Sequence, residues 1–377
     1  MAIRVGLIGY GYSGRTFHAP LIRAVPGLNL RLISSRDPAR VAADLPGVAV
    51  IADPYAVATA EAVDCVVIAA PNDTHAPLAR AALAAGKHVV IDKPFTLDLA
   101  EARGLREAAR SRSRLLAVFH NRRWDSDFLT LRAAIADGII GPVRHFESHF
   151  DRFRPQVRDR WREGAGPGSG IWYDLGPHLL DQALLLFGLP ERVTANLARL
   201  RPGAQADDWA HVVLDYPDLR VVLHASMLVA GGSPRFVAHG EAGSLIKHGA
   251  DRQEQHLLAG LAPGAPGWGA DPDALEIHDG AGRVRHRPAV PGDQRRFYQG
   301  VAETIARGGG RRCRGAGGRP RDGLPRGRPH IGPDGGVGRP GARAGRTGDL
   351  RGATFARVPP AMHRDAGRAL DPAGGGP

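Results

Sequence analysis

The sequence predicts an α/β domain with a doubly wound parallel sheet, followed by an α+β domain with an open, mainly antiparallel sheet. Three observations carry the prediction. Over residues 1–121 short β-rich runs alternate with helical stretches, the rhythm of strand–helix–strand units. The run at 63–70 is apolar almost throughout, as in a strand buried on both faces. From about residue 122 the rhythm changes to a set of strand-like runs, two of which are joined by a turn rather than a helix.

In chain order, Ile3–Ile8 reads as the first strand, Leu28–Ser34 as the second and residues 48–51 as a short third. Residues 63–70, 88–92 and 115–119 follow as the fourth, fifth and sixth, separated by helical stretches at 76–85, closed by Gly86, and at 99–109. Strands so spaced imply a parallel sheet with right-handed crossovers. Beyond residue 122, the segments 143–153, 192–200, 210–216 and 220–229 read as strands. Tyr216-Pro217-Asp218-Leu219 makes a turn between the last two, hence an antiparallel hairpin. One clear helix spans residues 177–187, stopped by Gly188 and Pro190. The expected domains are 1–121 and 122–307, with a tail at 308–377.

The 377 residues are 43% hydrophobic, enough for a substantial core, and carry 50 Lys+Arg against 38 Asp+Glu, a net charge of +12. Taken whole, that balance invites a nucleic-acid partner. The charge is concentrated at one end, however. Residues 308–377 hold 14 Arg, no Lys and 5 acidic residues, while the preceding 307 residues carry a net +3. The body is near neutral, so nucleic acid is not expected as its partner. No run of about 18 or more apolar residues occurs, so no membrane span is expected either. Cys65 and Cys313 cannot make a disulfide framework, and the first residues enter a strand with no charged leader. A reduced, cytoplasmic compartment is therefore expected. Only Lys87, Lys93 and Lys247 are lysines, against 47 arginines, which singles out any lysine placed near chemistry.

Gly9-Tyr10-Gly11-Tyr12-Ser13-Gly14 fits Gly-x-Gly-x-x-Gly directly after the first strand. In that place glycines allow a tight turn and let backbone N–H groups approach a pyrophosphate at a helix N-terminus. The first domain is therefore expected to be a Rossmann domain that binds a dinucleotide. At the end of the second strand an acidic residue would bind the ribose of NAD, whereas an arginine accommodates the 2′-phosphate of NADP. Ser34-Ser35-Arg36-Asp37 stands there, so Ser35 and Arg36 favour NADP over NAD, against the plainer reading of Arg36 as one more surface arginine. Pro71-Asn72-Asp73-Thr74-His75 follows the fourth strand at the carboxyl edge of the sheet, where ligands bind. Pro71 and Asn72 are expected at the cofactor, and His75 either there or as a cap of the next helix.

Asp92-Lys93-Pro94 follows the fifth strand at the same edge, which points Lys93, with Pro94 beside it, at the nicotinamide end. A second cluster runs Gly168-Ser169-Gly170-Ile171-Trp172-Tyr173-Asp174-Leu175-Gly176-Pro177-His178-Leu179-Leu180-Asp181. Pro177 suits the first turn of a helix, which puts His178 and Asp181 on one face and leaves Asp174 ahead of it as a candidate cap. A histidine near a helix start is more often structural than catalytic. Flanked by two carboxylates after a glycine-rich loop, His178 becomes a candidate general base. There is no Cys/His spacing for zinc, and no metal is expected.

Together with Phe17-His18-Ala19-Pro20, Phe119-His120-Asn121-Arg122-Arg123-Trp124-Asp125 and residues 150–161, these motifs resemble the Gfo/Idh/MocA oxidoreductases. Within that family they are similar to the NADP-linked scyllo-inositol 2-dehydrogenase group, over roughly residues 3–307. The family usually has Glu-Lys-Pro; here Asp92 replaces the glutamate. The resemblance implies Lys93, Asp174 and His178 as the catalytic set, with Asn121, Arg122, Arg123, Trp124 and Asp181 facing a polyol or sugar. It further implies hydride exchange between a secondary alcohol and NAD(P), and a homodimer or homotetramer formed through the open sheet. A non-catalytic dinucleotide-binding sensor of the same fold is the alternative, opposed by the presence of Lys93, Asp174 and His178 together.

After residue 307 the family pattern stops. The 70 tail residues include 20 Gly, 14 Arg, 9 Pro and 9 Ala, without helical or strand periodicity, a composition typical of disorder. These are also the residues that GC-rich codons specify. The expectation is an out-of-frame reading of a GC-rich gene beginning near residues 308–312, which would remove the family's final helix. The alternative is a genuine Arg/Gly-rich extension, and the other reading frames of the gene decide between the two.

Overall fold

The computed structural model describes residues 2–308, so the tail and its expected out-of-frame origin lie outside the described residues. Six strands, β1 (Ile3–Ile8), β2 (Leu28–Ser34), β3 (Ala49–Ile51), β4 (Cys65–Ile68), β5 (His88–Ile91) and β6 (Leu116–Val118), form a parallel sheet in the order β3-β2-β1-β4-β5-β6. The order reverses between β1 and β4, which opens a crevice at the carboxyl ends of those strands. β4 and β5 are buried at every position, as strands covered on both sides must be. The helices on this half are α1 (Ala19–Arg23), continuing a π-helical turn at Gly14–His18, α2 (Pro38–Asp44), α3 (Pro54–Thr59), α4 (His75–Ala84) and α5 (Leu99–Ser111). Asp37, Asp53 and Asp98 accept the first free N–H groups of α2, α3 and α5, so these starts are written locally.

α6 (Ser126–Ala136) leads into the second sheet, and α7 (Ile171–Phe187) follows its first strand. The strands are β7 (Val143–Asp151), β8 (Arg192–Ala198), β9 (Trp209–Asp215), β10 (Arg220–Ser226), β11 (Phe236–Gly240), β12 (Gly243–Lys247), β13 (Leu275–Asp279) and β14 (Val284–Arg287). Their order is β14-β13-β12-β11-β7-β10-β9-β8, and only β7 with β10 is parallel. β9 and β10 form the expected hairpin. α7 closes one face, with Leu175 and Leu179 sharing a core with Val212, Leu214, Val221 and Leu223. α8 (Gln253–Leu258) lies between β12 and β13 in the chain, and α9 (Arg295–Ala306) ends the described fold. Among the described residues no helix is long and apolar enough to cross a membrane.

Two expectations change. α7 begins at Ile171 rather than at Pro177, because the Asp207 carboxylate accepts the Trp172 N–H at 2.8 Å and caps the helix from a distant loop. Asp174 is therefore inside the first turn and is not the cap, while Pro177 sits mid-helix, where it gives no N–H to the Tyr173 carbonyl. α9, placed by the sequence with the second domain, packs on the first. Phe297, Tyr298 and Val301 share a core with Val5, Leu7, Cys65 and Val67.

Candidate active site

The glycine loop divides its labour. Gly9 has φ +96°, and a Cβ there would overlap the Ala69 carbonyl. A Cβ on Gly14 would overlap the Gly9 carbonyl, which fixes the close packing of helix on strand. At Gly11 an added Cβ meets nothing within 4 Å, so the backbone is open to a ligand. Turn, packing and open approach are the three features a pyrophosphate cradle requires, and these residues fit a dinucleotide. Gly14→Ala is expected to abolish measurable dinucleotide binding and to destabilise the fold by about 1–3 kcal/mol, seen as a lowered melting temperature.

The side chains of this loop serve three different places. Tyr10 is buried and its hydroxyl donates to Asp44 at 3.2 Å, so it belongs to the core rather than to the cofactor. Tyr12 is exposed and donates to Glu254 at 2.6 Å. Ser13 Oγ donates to Asp92 Oδ2 at 2.5 Å, and Asp92 Oδ1 accepts the Lys93 N–H at 2.8 Å. His18 stands 3.5 Å from the same carboxylate and meets the Tyr298 hydroxyl through its other nitrogen. Burial alone would raise the Asp92 carboxyl, but His18, Lys93 and Ser13 outweigh it and hold it below the ordinary carboxylate range. Asp92 thus ties the glycine loop to the backbone of Lys93.

At the end of β2, Asp37 is occupied: it caps α2 and pairs with Arg40 at 3.1 Å. Ser35 Oγ accepts the Asp37 N–H, and Arg36 is exposed with no ion-pair partner among the described residues. Asn72 is buried and donates to the Gly168 carbonyl at 3.1 Å, joining the Rossmann edge to the glycine-rich loop before α7. His75 is also buried, its ring nitrogens 2.9 Å from the Pro94 carbonyl and 3.0 Å from that of Ala70. It cross-links two loops, and both its polar atoms are taken by backbone rather than offered to a cofactor.

Lys93 Nζ crosses to α7 and donates to the Asp174 carboxylate at 2.8 Å and to the Asp174 carbonyl at 2.7 Å. An ammonium has three N–H groups, and the third has no partner among the described residues. Burial would raise the Asp174 carboxyl, but Lys93, followed by Arg152 and Arg162, holds it below its usual range, so it stays ionised at neutral pH. His178, one helical turn on, is buried, and its Nδ1 has no hydrogen-bond partner among the described residues. Burial, reinforced by the Lys93 and Arg122 cations, pushes its pKa well below 6.5 and keeps it neutral. Asn72, Lys93, Pro94, Arg162, Tyr173 and Asp174 line one small pocket. A larger groove of about 600 Å³ between α1 and residues 257–263 holds no acid–base pair.

The residues expected to face a substrate separate. Trp124 is buried against Phe297, with ring centroids 5.9 Å apart, and does not line a sugar pocket. Asn121 is buried and donates to Gln294 at 3.1 Å. Arg123 holds Asp181 through two 2.7 Å hydrogen bonds, and His120 lies 3.8 Å from the same carboxylate. Arg122 pairs with Asp125 and Glu254. Arg152 and Arg162, each 3.8 Å from Asp174, were missed. Their only signal was the run of arginines at 152–162, undistinguished in so arginine-rich a chain.

Family models match both halves: an oxidoreductase family with an NAD-binding Rossmann fold over residues 3–120, and the GFO/IDH/MocA C-terminal domain over residues 128–246. The chain is 55% identical over 306 residues to the uncharacterized oxidoreductase YdgJ of Escherichia coli, covering 80% of this chain and 88% of that one. It is 37% identical over 311 residues to the scyllo-inositol 2-dehydrogenase (NADP(+)) IolW of Bacillus subtilis, covering 81% and 87%. A solved structure from Klebsiella pneumoniae shares 57% identity and a TM-score of 0.76, covering 81% of this chain and 85% of that one.

Proposed function

We propose, from the premise that the chain belongs to the Gfo/Idh/MocA family of NAD(P)-binding oxidoreductases, that it exchanges hydride between a secondary alcohol of a cyclic polyol or sugar, scyllo-inositol-like, and NADP. The observation that carries this reading is the Lys93–Asp174 pair, formed across the two halves at the carboxyl edge of the parallel sheet, with neutral His178 one turn further along α7. Asp174 engages two N–H groups of Lys93 and orients the third toward the alcohol oxygen. Lys93 then stabilises the alkoxide charge that develops there. His178 takes the hydroxyl proton as general base. The bound nicotinamide supplies the hydride acceptor for the carbinol carbon. A panel of polyols and sugars, offered with NAD and NADP in parallel and followed by reduced-nicotinamide absorbance, tests the reading. Absence of cofactor reduction by every member would overturn it.

The preference for NADP rests on Arg36, exposed and without an ion-pair partner among the described residues where a 2′-phosphate would lie, with the neighbouring acid already spent as a helix cap. Arg36→Ala is expected to lower kcat/KM for NADP by about 10–100-fold and to leave that for NAD within about twofold, measured with one substrate and both cofactors. A cytoplasmic homodimer or homotetramer joined through the open face of the eight-stranded sheet completes the reading. Light scattering checks the assembly.

A further inference from the structure

The site carries more positive charge than a neutral polyol uses. In β7 the side chains of Phe146 and Ser148 point into the core beneath α7. The extended backbone continues past Asp151, with Arg152 N donating to the Ser226 carbonyl at 2.8 Å and Arg154 N to that of Met227 at 2.7 Å. Alternation therefore keeps Phe150, Arg152 and Arg154 on the face that α7 covers and turns Phe153 outward. Phe153 is 57% exposed, as that alternation requires. Arg152 reaches Asp174 Oδ2 at 3.8 Å, and Arg162 reaches Oδ1 at the same distance. Lys93 already holds that carboxylate at 2.8 Å, so three cations share one acid.

Arg154 adds a fourth cation. It has no ion-pair partner among the described residues, and its charged surroundings are the cations of Arg158 and Arg160 with the acids Glu163 and Asp174. Glu163 is committed to Arg160 at 2.7 Å and Arg201 at 3.0 Å. The other arginines around the site are matched: Arg122 with Asp125, Arg123 with Asp181 and Arg235 with Asp127. Of these cations Lys93 and Arg162 line the small pocket, Arg152 borders it through Asp174, and Arg154 follows two residues on along the same extended segment. Arg154, with no acid of its own, and Arg152 and Arg162, which share theirs with Lys93 at 3.8 Å, form a fork-shaped receptor for an oxyanion. The phosphates of the dinucleotide have their own places at the glycine loop and at Arg36.

We propose that the substrate carries an oxyanion, a carboxylate or a phosphate, which docks on Arg152, Arg154 and Arg162 while the reacting carbinol lies at Lys93 and His178. The proposal rests on the hydride-transfer reading above and narrows its substrate class from polyols to acidic sugars or polyol phosphates. The test offers matched compounds to the full-length enzyme at saturating NADP and constant ionic strength. They are D-glucose with D-glucuronate and D-glucose 6-phosphate, and myo-inositol with its 1-phosphate. Turnover is followed by absorbance and binding by thermal shift.

The wild type is expected to favour an acidic member over its neutral counterpart by about 10–100-fold in kcat/KM, the value of one good charge-assisted contact pair. Arg154→Ala should erase that advantage and Arg154→Lys should restore part of it, and the better acid identifies the oxyanion. Equal kcat/KM for neutral and acidic members in the wild type overturns the proposal. So does an Arg154→Ala loss that is the same for both, or one that appears as weakened NADP affinity instead. Should Arg154→Ala fail to fold, the wild-type ratio and the lysine variant still decide. The two readings fail separately. Acids that stabilise the wild type but not the variant, with no cofactor reduction by any compound, keep the anion subsite and remove hydride transfer. Neutral polyols oxidised with no preference for acids do the reverse.

Discussion

Lys93→Met is expected to lower kcat by about 10²–10³-fold at saturating cofactor, the usual cost of removing one preorganised charge from a developing oxyanion. Two features make the variant informative. Methionine keeps an unbranched apolar stem, so the pocket is not emptied. Asp174 is not stranded either, because Arg152 and Arg162 remain 3.8 Å from its carboxylate, and the penalty of an unpaired buried charge is largely avoided. The affinity for NADP, measured by fluorescence titration, should stay within about threefold, since the glycine loop and Arg36 remain intact. Lys93→Arg should not recover the rate. A planar guanidinium cannot give two N–H groups to Asp174 and a third to the substrate in the tetrahedral geometry of an ammonium. Turnover within threefold of wild type in the methionine variant would remove Lys93 from the chemistry and restore the sensor reading.

What the sequence made legible follows from how local each signal is. β1 and β2 were readable to the residue, because each sets apolar residues close together in a short β-rich run whose ends are marked by glycine and polar turns. The glycine loop, Lys93 and the Asp174–His178 spacing were readable for the same reason: each motif is contiguous. The true start of α7 was not, since its cap, Asp207, lies 35 residues beyond the Trp172 N–H it accepts. β11 to β14 escaped notice, and of these β14 is the edge strand. β14 is almost entirely exposed and rich in arginine, so no apolar alternation announces it. α9 has a legible apolar face, but a face does not say which sheet it covers. Trp124 was misplaced because an aromatic beside a functional motif looks the same in sequence whether it lines the site or packs behind it. The arginines around Asp174 become visible only when the pleat of β7 and the position of α7 are both known.

His178→Ala should lower kcat for alcohol oxidation by about 10²–10⁴-fold, the range of a positioned general base, and its pH profile separates that role from a packing defect. A base must be unprotonated to act. Burial first, and the Lys93 and Arg122 cations second, place the folded-state pKa of His178 well below 6.5. The wild-type rate should therefore show no loss attributable to His178 between pH 8 and pH 6.5, and should fall only as the pH drops through that lower value. The same depression bears on stability with a definite sign. Below about pH 6.5 the unfolded chain binds a proton at this histidine that the folded chain refuses, so the native state loses stability as the pH falls. In His178→Ala both the acid limb of the rate and this share of the acid destabilisation should disappear. His178→Asn, polar but unable to take up a proton at these pH values, should retain the fold and share the loss of rate. An acid limb that persists unchanged in both variants would assign the proton transfer to another group, with His120, 3.8 Å from Asp181, a candidate.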